Sequence, residues 1–159
     1  MSTNRGIQDT SLLQLVTFGI GEEEFGLDIL KVQEIIRTVE VTKVPSAPAF
    51  VDGVINLRGR IIPIITLRKR FGLPPRQEDK NTRIIVIELP KAIVGFVVDW
   101  VSEVLRISAS TVEPPPAIIS GIESDYISGV GKLQDRLLIL LDLDRILGQR
   151  EQEILARSV

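Results

Sequence analysis

Apolar and polar positions alternate in short runs along most of this chain, and glycine or proline separates the runs. Leu12 to Ile20 predicts a strand, Gly21 to Glu24 a turn, and Phe25 to Ile29 its hairpin partner. In the next stretch Ile29, Val32 and Ile36 fit a helical stripe while Ile35, Ile36 and Val39 fit a strand, which predicts a short helical turn leading into a strand. Pro45 and Pro48 break that pattern. Phe50 to Leu57 and Arg60 to Leu67 predict two strands joined at Arg58-Gly59, where glycine supplies the positive φ of a tight hairpin. Pro63 cannot donate to a ladder and is expected on an edge or at a bulge. Thr66 to Phe71 predicts one helical turn ended by Gly72, and Pro74 to Asn81 a polar connection. Arg83 to Glu88 and Ile93 to Val98 predict a further hairpin, and Gly131 to Leu141 the last one. A C-terminal helix is expected over 142–156, with Ile146, Leu147 and Leu155 as its apolar contacts. Residues 1–11 are polar and read as a flexible arm.

The pattern occurs twice. Val54 to Gly72 (VINLRGRIIPIITLRKRFG) aligns without a gap on Val130 to Gly148 (VGKLQDRLLILLDLDRILG). Gly53 falls on Gly129, Leu57 on Leu133, Arg60 on Arg136 and Leu67 on Leu143. Gly26 to Arg37 likewise aligns on Gly95 to Arg106, with Val32 on Val101 and Glu34 on Glu103. The two matches keep their order, and the extra length of the second copy lies in the Pro115 to Ser128 connection. A copy of this size is near the lower limit for an independent core, so two halves packed on each other are expected, roughly 12–75 and 82–148 within one unit of 12–150. The repeat leaves room for strands to exchange between the halves. Many short strands punctuated by glycine and proline imply an all-β protein, and two packed β-barrels of about five strands each fit the duplication. A cleft between them is the expected binding site.

Composition narrows the chemistry. Hydrophobic residues make up 44% of the chain and aromatics only 4%, so the core is aliphatic and its β-branched bias favours strands. A net charge of −2 provides no field suited to nucleic acid or an anionic membrane. There is no cysteine for disulfides, which fits a reducing compartment, and a cytoplasmic protein is expected. The absence of histidine removes the side chain best suited to proton transfer near neutral pH and the commonest transition-metal ligand. No phosphate-cradling loop, nucleophile elbow or paired acid set is present, so the expectation is a binding protein with no enzymatic activity, no cofactor and no metal. An oligonucleotide-binding barrel is the remote alternative, disfavoured because stacking aromatics on a basic surface are missing.

Differences between the copies point to function, because shared positions serve the fold. Arg58 becomes Gln134 and Gly59 becomes Asp135, so the scaffold does not require arginine at that hairpin tip. An ion pair of Arg58 with Glu34 or Glu103 is geometrically possible. By chemistry alone Arg58 reads as an exposed turn residue, Val32, Val101 and Val104 as core, and Arg68, Lys69 and Arg70 as a solvated helix face. Trp100, which replaces Lys31, suits an interface or burial between the barrels.

FGLDILKVQEIIR (Phe25 to Arg37), PAFVDGVINLRG (Pro48 to Gly59), IIPIITL (Ile61 to Leu67), GFVVDWVSEV (Gly95 to Val104) and DRLLILL (Asp135 to Leu141) follow one another with ordinary spacing. That succession, from about Leu12 to Leu147, resembles the CheW family of bacterial chemotaxis coupling proteins. The resemblance implies two five-stranded barrel subdomains and an adaptor that couples the cytoplasmic tips of chemoreceptors (methyl-accepting chemotaxis proteins) to the regulatory domain of the histidine kinase CheA. It further implies localisation at membrane-associated receptor arrays without membrane insertion. A related chemosensory pathway controlling pili or another output is the alternative setting. Matched motif by motif, Val32, Glu34, Asn56, Arg58, Val101 and Val104 would lie on or near a receptor-binding groove, with Gly53 holding a tight backbone there.

Overall fold

The computed structural model describes residues 11–115 and 126–158; the predicted N-terminal arm, Ser11 apart, and most of the Pro115 to Ser128 connection lie outside them. Among the described residues eleven strands form two sheets. β1 (Leu12–Ile20) and β2 (Glu23–Asp28) make the first hairpin, and a 3-10 turn (Ile29–Lys31) leads into β3 (Val32–Arg37). β4 (Gly53–Leu57), β5 (Arg60–Thr66) and the single-turn helix α1 (Leu67–Arg70) follow. The sequence then restarts with β6 (Arg83–Glu88), β7 (Ile93–Val98) and β8 (Trp100–Ser108). After the two-residue β9 (Val112–Glu113) come β10 (Ile127–Lys132), β11 (Leu137–Leu141), α2 (Leu143–Ile146) and α3 (Gln149–Ser158).

The six-stranded sheet has the order β8-β1-β2-β11-β10-β9 and the five-stranded sheet the order β3-β6-β7-β5-β4. Each sheet therefore mixes strands of both sequence halves: the β1–β2 hairpin joins β8 to β11, and β6–β7 joins β3 to β5. Replacing every strand by its repeat partner converts one order into the other, β9 apart. The register repeats as well. β5 runs parallel to β7 with Ile64 opposite Gly95, and β11 runs parallel to β2 with Leu140 opposite Gly26. Those two pairs are the same pair in the alignment of the copies. A period-2 pattern tolerates no one-residue slip without turning its apolar face outward, and both copies obey that constraint alike.

Few aromatics and many aliphatics give three cores among the described residues. Ile55, Ile62, Ile64, Ile84 and Val86 fill the five-stranded sheet, and Leu15, Ile107, Leu138 and Leu140 the six-stranded one. The largest cluster draws on both sheets, with Phe18, Phe25, Leu27 and Leu141 from one and Ile65, Ile87, Phe96 and Val98 from the other. Phe18, Phe25, Phe71 and Tyr126 run through this region with ring centroids 5.6, 5.5 and 6.4 Å apart. The seam between the two sheets is thus packed with the chain's own side chains, where the duplication predicts an open cleft. Burying two apolar sheet faces against each other removes more hydrocarbon from water than a standing cleft would.

Three local expectations are corrected. Pro63 lies in β5, between β7 and β4, and not on an edge. Val54 turns its N–H and C=O to Thr42, each at 2.9 Å, so its cross-strand partner Pro63 occupies a non-hydrogen-bonded position, and pairing with β7 starts only at Ile64. The C-terminal helix is broken into α2 and α3 by Leu147 and Gly148, although Ile146, Leu147 and Leu155 are buried as expected. The face expected to be solvated is so only at Lys69, which is exposed and pairs with Asp52 at 2.7 Å; Arg68 and Arg70 are half-buried and pair with Asp99 at 3.2 Å and with Glu151.

Candidate interaction surface

The β4–β5 hairpin turns on two residues, and both take the left-handed conformation, Arg58 at φ 51° and Gly59 at φ 86°. Positive φ at both central residues matches the right-handed twist of the flanking strands. The Asn56 side-chain oxygen accepts the Gly59 N–H at 2.8 Å and holds the turn. Arg58 is thereby thrown outward at the tip, its side chain 71% exposed. Its guanidinium meets the Glu34 carboxylate end-on, Nη1 donating to Oε2 at 3.0 Å and Nη2 to Oε1. Glu34 lies on β3 and Arg58 next to β4, the opposite edges of the five-stranded sheet, so this pair helps to close the sheet on itself. The Arg58 hydrogen bond and charge hold the Glu34 carboxyl below its ordinary value, and Glu34 in turn raises Arg58. The Glu103 option left open by the sequence is not taken.

Gly53 begins β4, where a Cβ would lie 2.4 Å from the Thr42 carbonyl oxygen and 2.7 Å from Val41. That close approach lets Thr42 and Val54 exchange two backbone hydrogen bonds, a second closure of the same sheet. Gly53 is buried at the end of β4 away from Arg58. Val32 and Val101 are repeat equivalents, one on β3 and one on β8, and each packs half-buried against the seam core. Val104 stands further along β8 and is 53% exposed, so its side chain is not core. Trp100 is half-buried and lies over Gly19, where a Cβ would come within 1.9 Å of its indole. The structure thus joins Glu34, Asn56 and Arg58 at one hairpin tip and sets Val32 and Val101 on the seam. Gly53 and Val104 stand apart from both.

Sequence reading missed Arg136 and Glu24. Arg136, at the start of the β10–β11 hairpin's second arm, donates to Glu24 at 2.6 Å and lies 3.4 Å from Glu103. Its alignment with Arg60 carried no hint of this, because Arg60 is exposed and the carboxylate comes from another strand. No group of acidic, histidine or cysteine residues suited to a metal occurs among the described residues, and none of their helices is long and apolar enough to cross a membrane.

The CheW-like domain family model matches residues 14–151. The chain belongs to the CheW family. It is 41% identical to the chemotaxis protein CheW of Klebsiella aerogenes over 141 residues, covering 89% of this chain and 85% of that one. Identity to the CheW of Treponema pallidum is 37% over 147 residues, covering 90% and 86%. The crystal structure of the scaffolding protein TtCheW from Thermoanaerobacter tengcongensis superposes with a TM-score of 0.81 at 38% identity, covering 89% of this chain and 97% of that one. Family membership accounts for the two-sheet fold and makes the chain a scaffolding adaptor of chemotaxis.

Proposed function

We propose that this adaptor couples the cytoplasmic tips of chemoreceptors to the regulatory domain of the histidine kinase CheA, without catalysis of its own, at receptor arrays on the cytoplasmic side of the membrane. The receptor's helical hairpin lays apolar side chains against Val32 and Val101 at the seam and reaches the exposed Val104 further along β8. Arg58, steered by Glu34 and by the turn that Asn56 and Gly53's strand support, hydrogen-bonds a receptor carboxylate or carbonyl. Helix-in-groove capture uses a few central contacts for most of its affinity, and arginine supplies directional donors for such a contact. The observation that carries this reading is the Arg58 tip: an arginine 71% exposed, held by one carboxylate on a hairpin whose repeat counterpart is Gln134.

The test is capture of a receptor-tip fragment by the wild type, Arg58→Ala and Gln134→Ala, with the kinase regulatory domain offered separately. Arg58→Ala should weaken receptor capture at least about tenfold, as central interface arginines do, and leave kinase binding unchanged. Gln134→Ala should do neither. Equal receptor capture by the two variants contradicts the proposal.

A further inference from the structure

The chain passes between the sheets at two places: Ile29–Lys31 carries it from β2 to β3, and Asp99 carries it from β7 to β8. The repeat makes these crossovers equivalent, with Leu30 aligned on Asp99 and, in the helices that follow β5 and β11, Arg68 aligned on Asp144. Their chemistry is unequal. The Asp99 carboxylate is buried and accepts from three separate segments: the Gly21 N–H at 2.7 Å, Arg68 Nε at 3.2 Å and Arg76 Nη1 at 3.0 Å. Gly21 belongs to the β1–β2 turn of the six-stranded sheet, Arg68 to α1 behind the five-stranded sheet, and Arg76 to the connection between halves. Arg68 also donates to the Pro74 carbonyl at 2.6 Å, which ties that connection into the same knot. Burial pushes the Asp99 carboxyl up, yet the Gly21 N–H and the two arginines more than offset it, and the net direction is downward. At the other crossover a single pair, Lys31 to Asp144 at 3.0 Å, is partly open to water, with side chains 45% and 32% exposed and Asp144 Oδ1 buried without a hydrogen-bond partner among the described residues. Leu30, in the place of Asp99, is 87% exposed, and its N–H donates only locally, to Asp28 at 2.9 Å.

We propose that Asp99 is the clasp that fixes the angle between the two sheets, and that the Lys31 crossover is the compliant side. A carboxylate that satisfies three donors while excluded from water holds its neighbours in one geometry, whereas an exposed ion pair is worth little and is screened by salt. Val32 directly follows one crossover and Val101 lies two residues after Asp99, so the angle set by Asp99 determines how far apart these seam residues stand. Asp99 is a positioning residue in this sense, and the claim about the angle is independent of which partner binds there.

The chain has no cysteine, so introduced ones label uniquely. Spin labels at Arg37→Cys, on β3, and Gln134→Cys, on the β10–β11 turn, report the angle as a pulsed-resonance distance distribution in the full chain. Asp99→Asn should broaden that distribution at least twofold, and Arg76→Ala, which removes one donor from a more exposed position, should broaden it by less. Lys31→Ala and the core variant Ile64→Val should leave it narrow, the latter showing that lost stability alone does not move the sheets. If Asp99→Asn does not fold, Arg76→Ala decides the matter. An unbroadened distribution in both clasp variants, or equal broadening in Lys31→Ala or Ile64→Val, overturns the proposal.

Discussion

The hairpin tip of the five-stranded sheet and that of the six-stranded sheet both bring an arginine to a glutamate on a distant strand: Arg58 to Glu34, and Arg136 to Glu103. The glutamates are repeat equivalents, but the arginines are not, since Arg58 aligns with Gln134 and Arg136 with Arg60. Arg136 also binds Glu24 at 2.6 Å and Asp135 at 3.2 Å, which spends its donors inside the fold. Among the described residues Arg58 pairs with Glu34 alone, and its remaining N–H groups face water. The same closure of a curled sheet is therefore built in one half from an arginine committed to structure and in the other from an arginine still able to bind. A scaffold duplicated in this way can keep one copy for stability and release the other for recognition.

The comparison can be pressed first where packing is tightest. A Cβ at Gly95 would lie 2.7 Å from Ile64 and 2.8 Å from Ile84, both β-branched and deep in the five-stranded sheet. At the equivalent Gly26 the nearest atoms are the flexible ends of Leu138 and Leu140, at 3.1 and 3.3 Å. Gly95→Ala should cost about 1–3 kcal/mol by overpacking, and Gly26→Ala clearly less, as read by denaturant midpoints. Equal costs would show that the two cores yield alike. Next come the tips themselves: Arg136→Ala should lower the melting temperature measurably, while Arg58→Ala should leave it nearly unchanged. A reversed order would mean that Arg58 serves the fold after all.

The smallest effect is a titration. Arg58 holds the folded-state pKa of Glu34 below the ordinary 4.5. Whatever the pair adds to stability is therefore fully present above that value and is lost as pH falls from there through the lowered folded-state pKa. Carboxyl NMR should show Glu34 titrating on the acid side of its ordinary value in the wild type and returning to it in Arg58→Ala. No change on removing Arg58 would assign the shift to another cause.

Most strand positions were legible because alternation and punctuation are local properties, although β8 (Trp100–Ser108) was not among the predicted strands. Gly59 and the short turn before Val32 behave as their sequences predict. The repeat also disclosed which residues are equivalent. What local pattern does not carry is partner choice: the β1–β2 and β6–β7 hairpins have equivalent apolar faces, and their exchange between sheets is set by three-dimensional closure. The same limit applies to Asp99 and Arg136, whose roles depend on partners 78 and 112 residues away, the Gly21 N–H and the Glu24 carboxylate. Pro63 was misplaced because the rule against proline in inner strands does not distinguish hydrogen-bonded from non-hydrogen-bonded positions. Arg58, by contrast, stood out as the arginine that the second copy lacks.

The most direct measurement is bridging. Kinase regulatory domain and receptor-tip fragment, immobilised one at a time, should each retain the adaptor, and receptor tip should appear on kinase-coated resin only when the adaptor is added. Wild type and Gln134→Ala should bridge, and Arg58→Ala should hold the kinase yet fail to bring the receptor. Bridging by Arg58→Ala at wild-type strength, or no bridging by the wild type, would contradict the account.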